Sequence, residues 1–167
     1  MKPRLAVELI PGGVVINGQT WIGELSSQEL RSVLGQPTRN DIKLAGGDPW
    51  RVFEYYDEYG IHTLHEIATK RAVLIVISLI PTRGVLTPTS PFRGELIVNE
   101  KQLFAGMKLR ELPLKGSLNF VKGIGSTWRC AHDNGYTALH LQKIAWPNGG
   151  KSSAPVLVSV THSFLQN

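Results

Sequence analysis

Apolar residues recur along this chain with two periods. In GELSSQELRSVLGQP (23–37) they return every three or four positions, so that Leu30, Val33 and Leu34 form one stripe. Ser26 followed by Glu29 is a capping box, and Gly35 with Pro37 supplies the stop, so the stretch predicts a short amphipathic helix. Elsewhere the period is two. APVLVSVTHSF (154–164) predicts a strand with Val156, Val158, Val160 and Phe164 on one face and Leu157, Ser159, Thr161 and Ser163 on the other. AVLIVISLI (72–80) is apolar on both faces, which predicts a strand in the middle of a sheet. Asn17-Gly18, Asn99-Glu100, Tyr59-Gly60 and Asn134-Gly135 mark tight turns. A second, shorter helix is predicted over Met107 to Leu112, ended by Pro113. Short helices beside mainly antiparallel strands make the expected class α+β.

The same order of elements occurs twice. EYGIHTLH (58–65) lines up with DNGYTALH (133–140), the glycines Gly60 and Gly135 standing 75 residues apart. Ahead of these lie VVINGQTWIGELSSQELRSVLG and LIVNEKQLFAGMKLRELPLKG; behind them lie AVLIVISLI and APVLVSVTHSF. The reading is two copies of one unit, residues 1–83 and 84–167, each a strand pair and helix followed by a three-stranded meander. PTRGVLTPTSP (81–91) is the crossover, and the two units are expected to join as one antiparallel platform.

Composition narrows the class. With 42% hydrophobic and 19% charged residues the chain is an ordinary globular sequence. Its N-terminal apolar run is cut by Glu8 and Pro11, unlike a signal peptide, and no run is long enough to span a bilayer, so a cytoplasmic location is the default. One cysteine, Cys130, excludes an internal disulfide and any zinc site of several thiolates. Residues 1–83 hold nine basic and nine acidic residues, whereas 84–167 hold nine basic and four acidic, so the whole net charge of +5 belongs to the second unit. Such a field favours an acidic partner or a nucleic acid.

Candidate chemistry is sparse. His62, His65 and Glu66 suggest a metal site, but zincin histidines lie four apart on a helix, and residues three apart on a strand face opposite ways. No metal or cofactor is expected. GGKSS (149–153) lacks the first glycine of a phosphate-binding loop, with Ala145 in its place, and precedes a strand rather than a helix. Cys130 and His132 are neighbours on a strand without an orienting third group. No catalytic residue is assigned. Aromatic and arginine residues, which dominate interface energetics, gather instead around the two meanders. The expected partner contacts are Tyr55, Tyr56, Asp57, Glu58, Tyr59 and His62 in the first, and Trp128, Arg129, Tyr136 and His140 in the second.

The tandem of short helix plus antiparallel strands resembles the architecture of the beta-lactamase inhibitor protein, in which two repeats form one curved sheet whose concave face grips an enzyme. GELSSQELRSVLGQP is similar to the helix signature of that superfamily and of small outer-membrane assembly lipoproteins. GMKLRELPLKG (106–116) keeps Gly and Leu without Leu-Gly-x-Pro, and no lipobox cysteine stands near the N-terminus. Tyr56-Asp57-Glu58-Tyr59-Gly60-Ile61 and Pro91-Phe92-Arg93-Gly94-Glu95-Leu96 resemble an uncharacterised bacterial domain family whose members look like immunity proteins encoded beside secreted toxins. The resemblance implies a non-enzymatic immunity or inhibitor protein whose partner is a protein toxin or enzyme. Two alternatives remain: a nucleic-acid binder using the dispersed Lys and Arg of the second unit, and a small hydrolase using His62 or His132 with a carboxylate.

Overall fold

In a computed structural model of the chain, residues 4–23, 25–80, 87–98, 100–112, 126–132, 135–143 and 154–164 are described; for Leu109, 126–132, Gly135 and Tyr136 the description is of backbone alone. Twelve strands and one α-helix follow in order: β1 (Ala6–Ile10), β2 (Gly13–Ile16), β3 (Gln19–Ile22), α1 (Ser27–Leu34), β4 (Arg39–Ala45), β5 (Asp48–Tyr56), β6 (Ile61–Glu66), β7 (Ala72–Ser78), β8 (Glu95–Val98), β9 (Lys101–Leu103), β10 (Ser126–His132), β11 (Gly135–Gln142) and β12 (Val156–Ser163). Single 3-10 turns lie at Asp57–Tyr59 and Leu109–Glu111. Among the described residues no helix is long and apolar enough to cross a membrane.

The sheet-rich α+β class is as the periodicity predicts, but the strands divide between two sheets instead of one platform. A five-stranded sheet has the order β3-β2-β1-β8-β9, and a seven-stranded sheet the order β10-β11-β12-β7-β6-β5-β4. The first strand is the reason. Val7 and Leu9 of β1 need burial, and β1 obtains it by running parallel to β8 while pairing antiparallel with β2. The two sheets pack face to face over one apolar core, in which Val7, Leu9, Val14, Ile16, Leu96 and Val98 meet Ile61, Ile75, Ile77, Leu139, Leu157 and Val160.

Local sequence explains α1. The Ser26 hydroxyl accepts from the Glu29 amide (3.2 Å), and the Glu29 carboxylate accepts from the Ser26 amide (2.8 Å), closing the expected capping box. Eight residues are too few for an independent helix, so its stability comes from Leu30 and Leu34, both buried on the seven-stranded sheet's inner side. Asn17 and Gly18 both have positive φ (51° and 81°), the geometry a two-residue hairpin requires. Asn99 and the Asn134 of the other predicted turns lie outside the described residues, as do residues 81–86 of the crossover and the GGKSS loop.

Several contacts occur twice. The Ala72 amide donates to the Leu25 carbonyl (2.6 Å) and the Leu157 amide to the Met107 carbonyl (2.8 Å). Isolated bridges join Ser26 to Arg71 and Lys108 to Val156, and the Lys108 amide donates to the Glu111 carboxylate (2.7 Å) as Ser26 does to Glu29. The predicted helix over 107–112 is here a single 3-10 turn.

β7 is central, as its two apolar faces predict, lying between β6 and β12. β12 departs from the simple alternation. Its register against β11 shifts at His140/Leu141, so that His140 faces Ser159 while Leu141 faces Leu157. Val158 is the extra residue of this bulge, and Leu157 therefore shares the core with Val160 and Phe164 instead of opposing them.

Candidate functional site

The five-stranded sheet and α1 cover one face of the large sheet only. Cross-strand pairing puts Phe53, His62, Val76, Thr161 and Ala138 on the other face, with Arg39, Tyr55, Ser78 and His140. Among the described residues no strand or helix lies on this outer face, and only the chain near Thr87–Thr89 reaches its end.

A column of rings stands at that end. The Arg39 guanidinium lies 3.8 Å over the Tyr55 ring, Tyr55 stacks on His62 (5.3 Å, 28°), and Phe53 meets His62 edge-on at 6.0 Å. Lys43 lies 5.5 Å above Phe53. Arg39 is fixed from both sides: its Nε donates to Asp57 (3.1 Å) and its Nη2 to the Thr87 carbonyl (2.8 Å). Burial alone would raise the Asp57 carboxyl. Bonds from Arg39, the Thr89 amide and the Thr38 hydroxyl overcome it and hold the group below the usual carboxylate range.

His62 sits inside the column with Nδ1 unpartnered. Burial first, and the nearby Arg39 charge second, push its pKa down to about 4. At neutral pH it is an uncharged ring. In the unfolded chain it titrates near its ordinary value, so stability is complete above about 6.5 and falls as pH drops from there toward about 4, where the loss levels off. The expected loss is about 3 kcal/mol. Urea denaturation of the protein and of His62→Phe across this window checks it, since the substitution should flatten the profile.

Beyond the column, His62, Val76, Ser78, His140, Gln142 and Ser159 line a cavity of about 140 Å³ across the central strands. His140 bonds to the Thr161 hydroxyl at 2.9 Å. The fold thus brings His62 and His140 to one cavity from the two halves of the sheet.

The other expected contacts are placed differently. Tyr55 and Tyr56 are fully buried, because neighbours on a strand face opposite ways and both faces are occupied here: Tyr55 lies beneath Arg39, and Tyr56 points into the core. Neither ring offers surface to a partner. Asp57 serves Arg39, while Glu58 and Tyr59 line a hollow of about 320 Å³ beside the end of α1 with Val33, Leu34 and Gln36. Arg129 pairs with Ala138, Trp128 with Leu139 and Tyr136 with both Ala131 and Ser163, but the side chains of these three lie outside the described part, as do those of Cys130 and His132.

On the inner face a second polar group, missed in the sequence, centres on Glu54. Its carboxylate accepts from the Arg31 guanidinium and from the Tyr56 hydroxyl (3.0 Å), with His65 at 3.7 Å. Arg31 and Glu54 also border a cleft of about 600 Å³ with Gln28, Gln36, Val52 and Lys70. Thr63 bonds to His65 at 2.7 Å, which gives a hydroxyl, an imidazole and a carboxylate in sequence. They do not form a relay: Thr63 and Glu54 both approach Nε2, and Nδ1 has no partner, whereas a relay needs one group on each nitrogen. Burial lowers the His65 pKa, with Glu54 acting against it. His62 and His65 therefore lie on opposite faces of β6, and among the described residues no three His, Cys, Asp or Glu converge as a metal site would need.

His162, also missed, bonds to Thr137 (2.8 Å) in the core. An acid inside VFEYY was the available signal for Glu54; the only signal for Arg39 was the alternating charges of RNDIK.

No curated protein and no solved structure matches the chain. A family described as Domain of unknown function (DUF7738) matches residues 6–112, from the start of β1 past the second 3-10 turn. This is more than half of the 167 residues, and the chain belongs to that family.

Proposed function

We propose that the protein is a non-enzymatic module that binds a protein partner on the outer face of the seven-stranded sheet, as an immunity or inhibitor protein occluding the active site of a bacterial toxin. The observation that carries this reading is a large sheet on which, among the described residues, strands and helix pack against one face only. The outer face offers half-buried Phe53, Leu74 and Val76 beside the stacked Arg39 column, an apolar centre with a charged border. Bound interfaces have this composition, and a guanidinium already fixed by Asp57 and Thr87 loses little freedom on binding. The toxin-neutralising role rests on the sequence resemblance.

The reading includes a duplicated chain, with units 1–83 and 84–167. The strand order supports it: β10-β11-β12 mirrors β5-β6-β7 about the β7–β12 seam. So do the paired bridges and helix-cap bonds of the two halves. Among the described residues β1 and β4 have no counterpart.

Co-expression with the product of the adjacent gene tests the function. The expected results are a stable complex, protection of the host from that product, and binding weakened about thirtyfold by Val76→Asp, the effect of losing one central contact. A Val76→Asp protein that binds unchanged overturns the choice of face. Absence of both complex and protection overturns the function, and steeply salt-dependent binding to mixed oligonucleotides would transfer it to nucleic acid.

A further inference from the structure

One edge of the large sheet is β4, and among the described residues its protection is charge alone. Natural edge strands are protected by charged side chains, a proline or a bulge, and of these β4 has only the charges of Arg39, Asp41 and Lys43. β4 has no proline, and the register shift of its hairpin falls on β5, where Lys43 faces Arg51 and Leu44 faces Pro49, passing over Trp50. All seven residues of β4 thus remain regular. Of its side chains directed toward the helix side Asn40 is polar, but two are apolar and in water: Ile42 is 53% exposed and Leu44 62%, with Trp50 across the hairpin at 43%. Backbone amides and carbonyls along an edge of this kind can take up another strand.

We infer that the occupant is a second copy of this chain, its β4 antiparallel to the first about a twofold axis through Ile42. The strand's own sequence, Arg-Asn-Asp-Ile-Lys-Leu-Ala, carries the argument. Ile42 is its middle residue, so this axis pairs the whole strand: Arg39 with Ala45, Asn40 with Leu44, and Asp41 with Lys43. Each copy's Asp41 then faces the other's Lys43, giving two opposite-charge pairs. Both charges already lie on the outer face, 2.7 Å apart within the strand and about 40% exposed (Lys43 40%, Asp41 43%). On the inner side Ile42 meets Ile42, and the apolar edge leaves water.

Other axes fail. A twofold perpendicular to the sheet pairs residues of like parity only. Centred on Asp41 it sets Asp41 against itself and Arg39 against Lys43. Centred on Lys43 it sets Lys43 against itself. Centred on Asn40 it pairs only Arg39, Asn40 and Asp41 within the strand, and centred on Leu44 only Lys43, Leu44 and Ala45. The sequence favours one register, and the assembly is a closed, isologous dimer whose two outer faces are coplanar. It does not depend on the partner-binding reading.

Sedimentation equilibrium of the full chain tests it. The expected species is a dimer. Asp41→Lys and Lys43→Asp each create two like-charge pairs and should raise the dissociation constant about tenfold or more. The double variant Asp41→Lys/Lys43→Asp should restore it. A residue on the axis meets its own copy at about 4.5–5.5 Å between Cα atoms, within disulfide reach. Ile42→Cys should therefore oxidise to a covalent dimer, while the unsubstituted chain, with Cys130 alone, should not. A monomer throughout the concentration range, a dimer indifferent to the charge swaps, or failure of Ile42→Cys to cross-link overturns the inference.

Discussion

Gly60→Ala should lose about 4 kcal/mol of folding stability. Gly60 ends the Asp57–Tyr59 turn with φ +67°, a left-handed conformation that an alanine adopts at a cost of about 1 kcal/mol. Space adds more. An added Cβ would lie 2.2 Å from the Phe92 nitrogen and 2.6 Å from the Pro91 carbonyl carbon, both backbone. That backbone cannot step aside cheaply, because the Phe92 amide donates to Ser78 (2.6 Å) and the Ser78 amide donates to Gly60 itself (2.8 Å). Corner, central strand and incoming chain are closed into one ring of bonds. Gly18→Ala is the comparison: φ is +81°, but nothing lies within 4 Å, so the cost should stay at about 1–2 kcal/mol. Urea midpoints of the two variants check the pair, and similar losses would refute the close approach.

Glu54→Ala should cost about 3 kcal/mol, and Glu54→Gln only about 1–2 kcal/mol. Glu54 is 2% exposed and holds three neighbours that enter from different elements: Arg31 from α1, Tyr56 from its own strand and His65 from β6. Alanine leaves the buried Tyr56 hydroxyl without an acceptor and opens space beneath the helix. The Arg31 side chain is 39% exposed and keeps part of its hydration, which holds the loss to the lower end of the range for broken buried pairs. Glutamine keeps an oxygen for Tyr56 or Arg31. Thermal unfolding of the two variants discriminates, and equal losses would mean that the hydrogen bonds contribute little.

What was legible in the sequence was local. Ser26, Glu29 and Gly35 define α1 within ten residues, and period two separates His62 from His65 without knowledge of any partner strand. β4 was illegible for the opposite reason: its apolar residues face water, so RNDIKLA has no buried face to announce a strand. The tyrosines beside the corner looked like binding surface because the residue that covers Tyr55, Arg39, belongs to that unannounced strand. The Val158 bulge and the parallel β1–β8 pair depend on residues far apart in the chain, where alternation within one segment carries no information.

The seam between β7 and β12 also bears on how the nascent chain behaves. Leaving the ribosome, β7 gains β6 at once, yet its other flank stays open until β8 to β11 have been made and β12 follows. For that interval a strand apolar on both faces, AVLIVIS, presents free amides and carbonyls to solvent or to a neighbouring nascent chain. Slow synthesis of β8 to β12 therefore lengthens the interval in which this strand can pair wrongly.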